Sequence, residues 1–380
     1  MEFSWSEEQL ARKREIVDLA QRELGRNLAE RDRTGEFDAA GWKSCGDAGL
    51  LGSFIPTEYG GRGYDVPTTI LSLEGLGYGC RDNGLTLAVN GQMWSIQEPI
   101  LSYGTEDQKR RYLPKLCSGE WRGAHGMTEA DSGSDAFSLS TAAQAVPGGY
   151  RLHGRKTCVG LAPIADIGLI FANTNPARGQ WGISSFLVAM DAPGCSSVAR
   201  AKMGLRTNPF GDIVLDDVFV KEEDRLGPEG AGVSMFNASM EWERSFIAAS
   251  FLGAMEYQLE RSIEYAKSRH QFGRPIGRFQ SVSNRIADMK VRLETARLLL
   301  YRLAWMKEHR QPAGLEAAIT NLYLAECFAA SSFDSVRNHG ALGYLEEYGI
   351  ERDLRDAVGG VIYSGTSDIQ RNLIARHLGL

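Results

Sequence analysis

Hydrophobic and polar positions change their period twice along the chain. Ser6 stands before Glu7, Glu8 and Gln9, an N-cap with an acidic first turn, and a mixed charged and apolar stretch follows. This predicts a helical first third. From residue 121 to about Gly227 short β-like runs alternate with Gly, Pro, Asn and Asp. Examples are Gly149–Gly154, Ile167–Ala172, Ile183–Val188 and Ile213–Val220, and their close spacing predicts a small sheet or barrel.

Beyond Gly232 the helical period returns. Leu252, Met255, Leu259, Ile263 and Ala266 fall on one face, and Ile286, Met289, Leu293, Ala296, Leu300 and Leu303 keep a three-four spacing. Such stripes pack into a core or a subunit interface. The expected order is therefore a helical domain over 1–120, a β-domain over 121–227 and a helical bundle over 228–380. It lacks the alternating βαβ units of a nucleotide-binding doubly wound sheet. Gly75-Leu76-Gly77-Tyr78-Gly79 has neither the spacing nor the preceding strand of a phosphate loop.

Composition narrows the classes further. The chain has 380 residues, 43% hydrophobic and 24% charged, with a net charge of -6. That excludes wholesale disorder, and without a Lys/Arg run it argues against nucleic-acid binding. No apolar run reaches the roughly 20 residues that span a bilayer, and Met1–Glu8 has no basic segment followed by an apolar core. A cytoplasmic protein is expected. Cys45, Cys80, Cys117, Cys158, Cys195 and Cys327 form no CxxC pair, so scattered reduced thiols are expected. His125, His153, His270, His309, His339 and His377 form no HExxH or HxH pair, and no GxSxG elbow occurs. Neither a metal site nor a serine hydrolase is expected.

Three segments carry candidate chemistry. Met127-Thr128-Glu129-Ala130-Asp131-Ser132-Gly133-Ser134-Asp135 combines hydroxyls, exposed amides and a glycine turn just before the strand region. It can bond a carbonyl-rich ring or a phosphate through backbone N–H groups, or be simply a capped turn. Arg269-His270-Gln271-Phe272-Gly273, leading to Phe279-Gln280, sets an arginine at a helix end beside an aromatic. This suits a pyrophosphate, or serves the helix macrodipole. In the tail, Thr366, Ser367 and Asp368 follow Gly365 as the cap and first turn of a last helix, an anion site or a plain helix start.

In this order, together with Gly340-Ala341-Leu342-Gly343-Tyr344 and Arg355-Asp356-Ala357, the segments resemble the acyl-CoA dehydrogenase family over essentially the whole chain. The resemblance implies an α+β fold: an N-terminal helical domain, a middle β-domain and a C-terminal four-helix bundle. It implies FAD between them, in a homodimer or homotetramer whose neighbour contributes to the flavin site. The implied flavin contacts are Met127, Thr128, Ser134, Cys158, Gly160, Arg269, Phe272, Gln280, Arg337, Gly340, Thr366 and Asp368. The implied substrate contacts are Ser134, Arg244 and Gly365. Phe279–Ile286, Tyr363–Gln370 and Ala162–Asp166 look like the branch that oxidises aminoacyl groups on carrier proteins, such as the prolyl-carrier-protein dehydrogenases of pyrrole biosynthesis. The expected substrate is thus an acyl or aminoacyl thioester on a carrier protein or CoA, in secondary metabolism. The expected electron acceptor is a flavoprotein or oxygen.

Two departures bear on mechanism. Many family members carry the α-proton base just before the tail Gly-Thr, where this chain has Ser364. A second family placement matches Glu243, with Arg244 beside it to set its charge and orientation. A solvated face with a surface ion pair is the bland alternative for Glu241, Glu243 and Arg244. The family's flavin-covering aromatic and flavin-bonding threonine are replaced by Cys158 and Gly160, and its adenine-side glutamine and asparagine by Arg337 and Leu342. A lost ring contact and hydrogen bond amount to about 1–3 kcal/mol, or roughly tenfold to hundredfold in FAD affinity. The rival readings on this scaffold are a non-redox enzyme using Glu243, a flavin oxidase or monooxygenase, and a silent partner subunit.

Overall fold

The computed structural model describes residues 4–380. The first helix, Glu7–Glu23, opens on the expected cap. Ser6 Oγ accepts from the Gln9 N–H at 3.2 Å, and Gln9 Oε1 accepts from the Ser6 N–H at 3.0 Å. Helices Val66–Gly79, Asn83–Gly91 and Glu106–Cys117 follow, and a π-helical turn, Gln92–Gln97, runs into helix Glu98–Tyr103.

The middle region is one eight-stranded mixed sheet. Its order is Cys195–Ala199, Phe210–Lys221, Gly149–Gly160, Ala142–Val146, Ile167–Asn173, Ile183–Ala189 and Arg225–Leu226, with Gly123–Gly126 parallel to Ile167–Asn173. Strands 142–146 and 195–199 are short and largely exposed, so they lack the apolar runs that mark the others in sequence. After the sheet come helices Gly232–Phe246, Phe251–Ser268, Gln280–Glu308, Gly314–His339, Ile350–Gly360 and Ser367–His377. The predicted stripes turn inward: Leu252, Met255, Leu259, Met289, Leu293, Leu300 and Leu303 are buried.

One core joins the first helices to the bundle through Ile16, Leu73, Phe246, Leu252, Leu300 and Phe328. A second lies where the sheet meets helices of both ends, with Ile96, Met127, Phe171, Phe236 and Met240. A third fills the sheet's own interior. The glycine run 75–79 belongs to packing. A Cβ on Gly77 would lie 1.8 Å from the Ser250 carbonyl oxygen, and one on Gly253 2.0 Å from that of Glu74. Helices Val66–Gly79 and Phe251–Ser268 thus meet backbone to backbone, a contact only glycine allows.

Arg355 and Asp356 tie three regions together. Arg355 pairs with Asp32 at 2.6 Å, while Asp356 accepts from the Leu205 N–H and the Asn83 amide. Among the described residues no helix is long and apolar enough to cross a membrane.

Candidate active site

Helix Gly232–Phe246 presents Phe236, Met240 and Glu243 at four- and three-residue steps, so one stripe faces the second core. Glu243 is buried, at 8% exposure, which removes the reading of a solvated face. Its Oε1 accepts a hydrogen bond from Ser364 Oγ at 2.5 Å. The residue that replaces the family's tail carboxylate therefore holds the carboxylate on the other helix. Glu241, two positions earlier, turns away and pairs with Lys307.

The Ser364 loop is built for this contact. Ser364 and Gly365 both take left-handed φ, 55° and 88°. A Cβ on Gly365 would meet Gln370 Nε2 at 2.8 Å. That amide donates to the carbonyl oxygens of Ser364 and Gly365 at 3.1 and 2.9 Å, from a fully buried side chain. Thr366 caps the last helix by accepting from the Ile369 N–H at 3.2 Å. Asp368, on its exposed first turn, pairs weakly with Arg371.

Arg244 is within electrostatic reach of Glu243 but not hydrogen-bonded to it. Its guanidinium makes no ion pair with Glu243 among the described residues, and its Nε is buried without a hydrogen-bond partner. Burial pushes its pKa down against the pull of Glu243 and Glu241. Glu243 is oriented by Ser364, because helix geometry sends consecutive side chains about 100° apart. Arg244 Nε lies instead 3.7 Å from where a Gly365 Cβ would stand, and its carbonyl accepts from Asn321.

The second group lies on the sheet. The Thr128 carbonyl accepts from the Thr157 N–H at 2.8 Å, which fixes the 127–135 loop beside strand Gly149–Gly160. Glu129 anchors it from below. Burial raises its pKa, but Lys156 Nζ at 2.7 Å and donors from Ser140 and Thr141 outweigh this and hold it at about 2. The strand's register shifts between Lys156 and Val159, where Cys158 takes φ 58°. Bulges of this kind re-aim side chains next to active sites. Cys158 and Gly160 are both exposed, and a Cβ on Gly160 would meet only Asn208, at 3.9 Å.

This face fits the implied FAD. Among the described residues no intramolecular bond engages the Thr128 hydroxyl, the Ser134 hydroxyl, or the backbone N–H groups of Thr128, Gly133 and Ser134. They are donors on a fixed loop beside an open strand face, as a carbonyl-rich ring or a phosphate requires.

The third group sits on the bundle's outer surface. Arg269 ends helix Phe251–Ser268, and Phe272, 92% exposed, makes an edge contact with Phe279 at 6.0 Å. Gln280 opens the next helix, Arg337 pairs with Asp334, and Gly340 ends helix Gly314–His339 with φ 60°. No hydrogen bond, ion pair or ring contact among the described residues joins this group to the sheet face.

Sequence reasoning missed Gln370 and His125. Gln370 looks like any polar residue in a first turn, and its burial inside the loop appears only in three dimensions. In sequence His125 fits no metal-ligand pattern and carries no other signal. It lies on strand Gly123–Gly126, with its ring 5.5 Å from Phe171 and 6.1 Å from Phe236.

A three-layer order of helices, mixed sheet and helical bundle, with a buried carboxylate where they meet, defines an α+β enzyme with its site at the domain junction. Family models for the acyl-CoA dehydrogenase N-terminal, middle and C-terminal domains match residues 6–120, 124–218 and 230–379. The chain belongs to the acyl-CoA dehydrogenase family. It is 44% identical to an L-prolyl-[peptidyl-carrier protein] dehydrogenase of Pseudomonas fluorescens, covering 100% of both chains. It is 39% identical to one from a Serratia species, over 89% of this chain and 88% of that one. Among solved structures, the prolyl acyl carrier protein oxidase AnaB superposes with TM-score 0.98 at 44% identity, over 99% of this chain and 100% of that one. PigA with FAD and proline superposes with TM-score 0.97 at 36% identity, with full coverage of both.

Proposed function

We propose that this protein is an FAD-dependent dehydrogenase that forms a Cα–Cβ double bond in an acyl or aminoacyl thioester held on a carrier protein. The observation that carries this reading is the buried Glu243 carboxylate held by Ser364 Oγ at 2.5 Å. Glu243 is the α-proton base. One oxygen is fixed by the serine hydroxyl, which leaves the other to take the proton, and a fixed base adds typically 10²–10⁴-fold to rate. Ser134, Arg244 and Gly365 border the thioester. FAD, when bound, supplies the acceptor for the β-hydride. Met127, Thr128, Ser134, Cys158 and Gly160 hold its ring side, and Arg269, Phe272, Gln280, Arg337, Gly340, Thr366 and Asp368 its remaining length.

The third group lies on an outer face with exposed apolar side chains: Phe272 at 92%, Tyr344 at 82% and Phe333 at 52%. That supports a homodimer or homotetramer in which one subunit's bundle completes its neighbour's flavin site. The open surface at Cys158 and Gly160 favours a second reading for the acceptor, oxygen rather than an electron-transferring flavoprotein.

The test compares a prolyl group on its carrier protein with free proline, using FAD-reconstituted protein. Remote contacts to the phosphopantetheine arm supply binding energy that the free acid lacks. Turnover of the carrier-bound form with an inert free acid is expected. Equal activity on the free acid overturns the carrier assignment.

A further inference from the structure

The helix stripe that leads to Glu243 packs, through Phe236 and Met240, among apolar side chains with one exception. Strand Gly123–Gly126 alternates its faces: Ala124 points into the sheet's interior core, whereas Met127 belongs to the second core with Phe171, Phe236 and Met240. His125 shares the Met127 face. Its ring lies nearly parallel to Phe236, at 25°, and tilted against Phe171, at 59°. Phe236 stands two turns before Glu243 on the same stripe of the helix, and Met240 lies between them.

His125 is half-buried, between the sheet and helix Gly232–Phe246. Neither ring nitrogen has a hydrogen-bond partner among the described residues. Burial lowers its pKa, opposed by Glu243 and assisted by Lys156. A neutral imidazole offers one N–H donor and one acceptor nitrogen. Its ring contacts, Phe171 and Phe236, and the core residues Met127 and Met240 offer hydrocarbon and thioether only, and the charged groups it feels are Glu243 and Lys156.

We propose that His125 is a specificity residue that hydrogen-bonds the α-nitrogen of an aminoacyl thioester and so favours amino acids over plain acyl groups. The inference rests on the thioester reading above. The proton taken by Glu243 leaves the carbon that bears this nitrogen, so the nitrogen is necessarily within a bond length of the base's target. Without His125 the side chains of this face, Phe171, Phe236, Met127 and Met240, would offer that nitrogen no partner, and an unpaired polar group is costly. Sites built around such a hydrogen bond discriminate strongly against analogues that lack it.

The experiment uses FAD-reconstituted wild type, His125→Phe and His125→Gln. Two groups are loaded on the same carrier protein: prolyl, and cyclopentanecarbonyl, which has the same ring without nitrogen. Binding of the matching pantetheine amides, which cannot be oxidised as thioesters, is measured by calorimetry. Wild type should prefer the nitrogen-bearing ring at least about tenfold in kcat/KM and in Kd. His125→Phe should lose that preference through the prolyl partner alone, with the carbocycle within about threefold of wild type. His125→Gln, which also donates and accepts, should keep part of it. Should the phenylalanine variant fail to fold, His125→Leu takes its place, and an unchanged preference there overturns the proposal. So do an unchanged preference in His125→Phe, an equal loss on both rings, and a wild type with no preference. A wild type that binds the amides with the predicted preference yet oxidises neither thioester refutes the dehydrogenase reading and leaves the nitrogen contact standing.

Discussion

Ser364 is the residue on which the site turns. Placed where the family often has a carboxylate, it hands a hydrogen bond to Glu243 from a loop that two left-handed residues and the Gln370 amide hold in place. Ser364→Ala removes one bond to a carboxylate, a loss of about 1.5–3 kcal/mol. Turnover should fall roughly tenfold to hundredfold with the Michaelis constant little changed, as steady-state kinetics will read. A tenfold rise in the Michaelis constant at constant turnover would make Ser364 a binding residue instead. Glu98 tests the same physics in reverse. It is 4% exposed, Oε2 has no partner, and burial raises its pKa to about 7 against the Ser102 bond and Lys307. A carboxyl whose folded pKa lies above its unfolded 4.5 favours the fold below that value, and the favour is lost as pH rises to about 7. Glu98→Gln should therefore raise the unfolding free energy at about pH 8 by on the order of 1–3 kcal/mol, seen as a higher melting midpoint, and change it little at about pH 5. Equal midpoints at both pH values would show that Glu98 is not protonated in the fold.

At the scale of elements, strand Gly149–Gly160 and its bulge are proposed to set how firmly a flavin is held. The sequence comparison pairs Cys158 and Gly160 as two losses, and the structure separates them. Cys158 sits at φ 58°, where a large aromatic is strained, whereas Gly160 has open space to 3.9 Å. Gly160→Thr alone should tighten FAD by roughly tenfold, one hydrogen bond, in a titration of apo protein followed by flavin fluorescence. Unchanged affinity would mean that the threonine hydroxyl finds no partner there. Much of this level was legible beforehand. Strands such as Ile167–Asn173 and the helix stripes announce themselves because burial imposes a period on apolar residues. Strands Ala142–Val146 and Cys195–Ala199 do not, because they carry mostly small or polar side chains on exposed edges. The tail motif showed a cap. It could not show that Ser364 reaches a residue 121 positions away in sequence.

Across the whole molecule, the site lies where the bundle meets the sheet, with the first helices packed against both. Glu243 comes from the bundle, Ser364 from the tail, His125 and Thr128 from the sheet, and Arg355 and Asp356 lock the domains in register. Family motifs named most of these residues, but motifs are local: adjacency puts Arg244 within electrostatic reach of Glu243, and only the structure shows its Nε beside Gly365. The central claim is that Glu243 takes the α-proton of a carrier-bound thioester on this scaffold. Its most direct test is intact-protein mass spectrometry of a prolyl-loaded carrier after reaction with FAD-reconstituted wild type and Glu243→Gln. The wild type should remove hydrogen in pairs from the loaded carrier, and the folded, FAD-retaining variant should do so at least about a hundredfold more slowly. An unchanged carrier mass with the wild type, or equal rates from the two proteins, would contradict it.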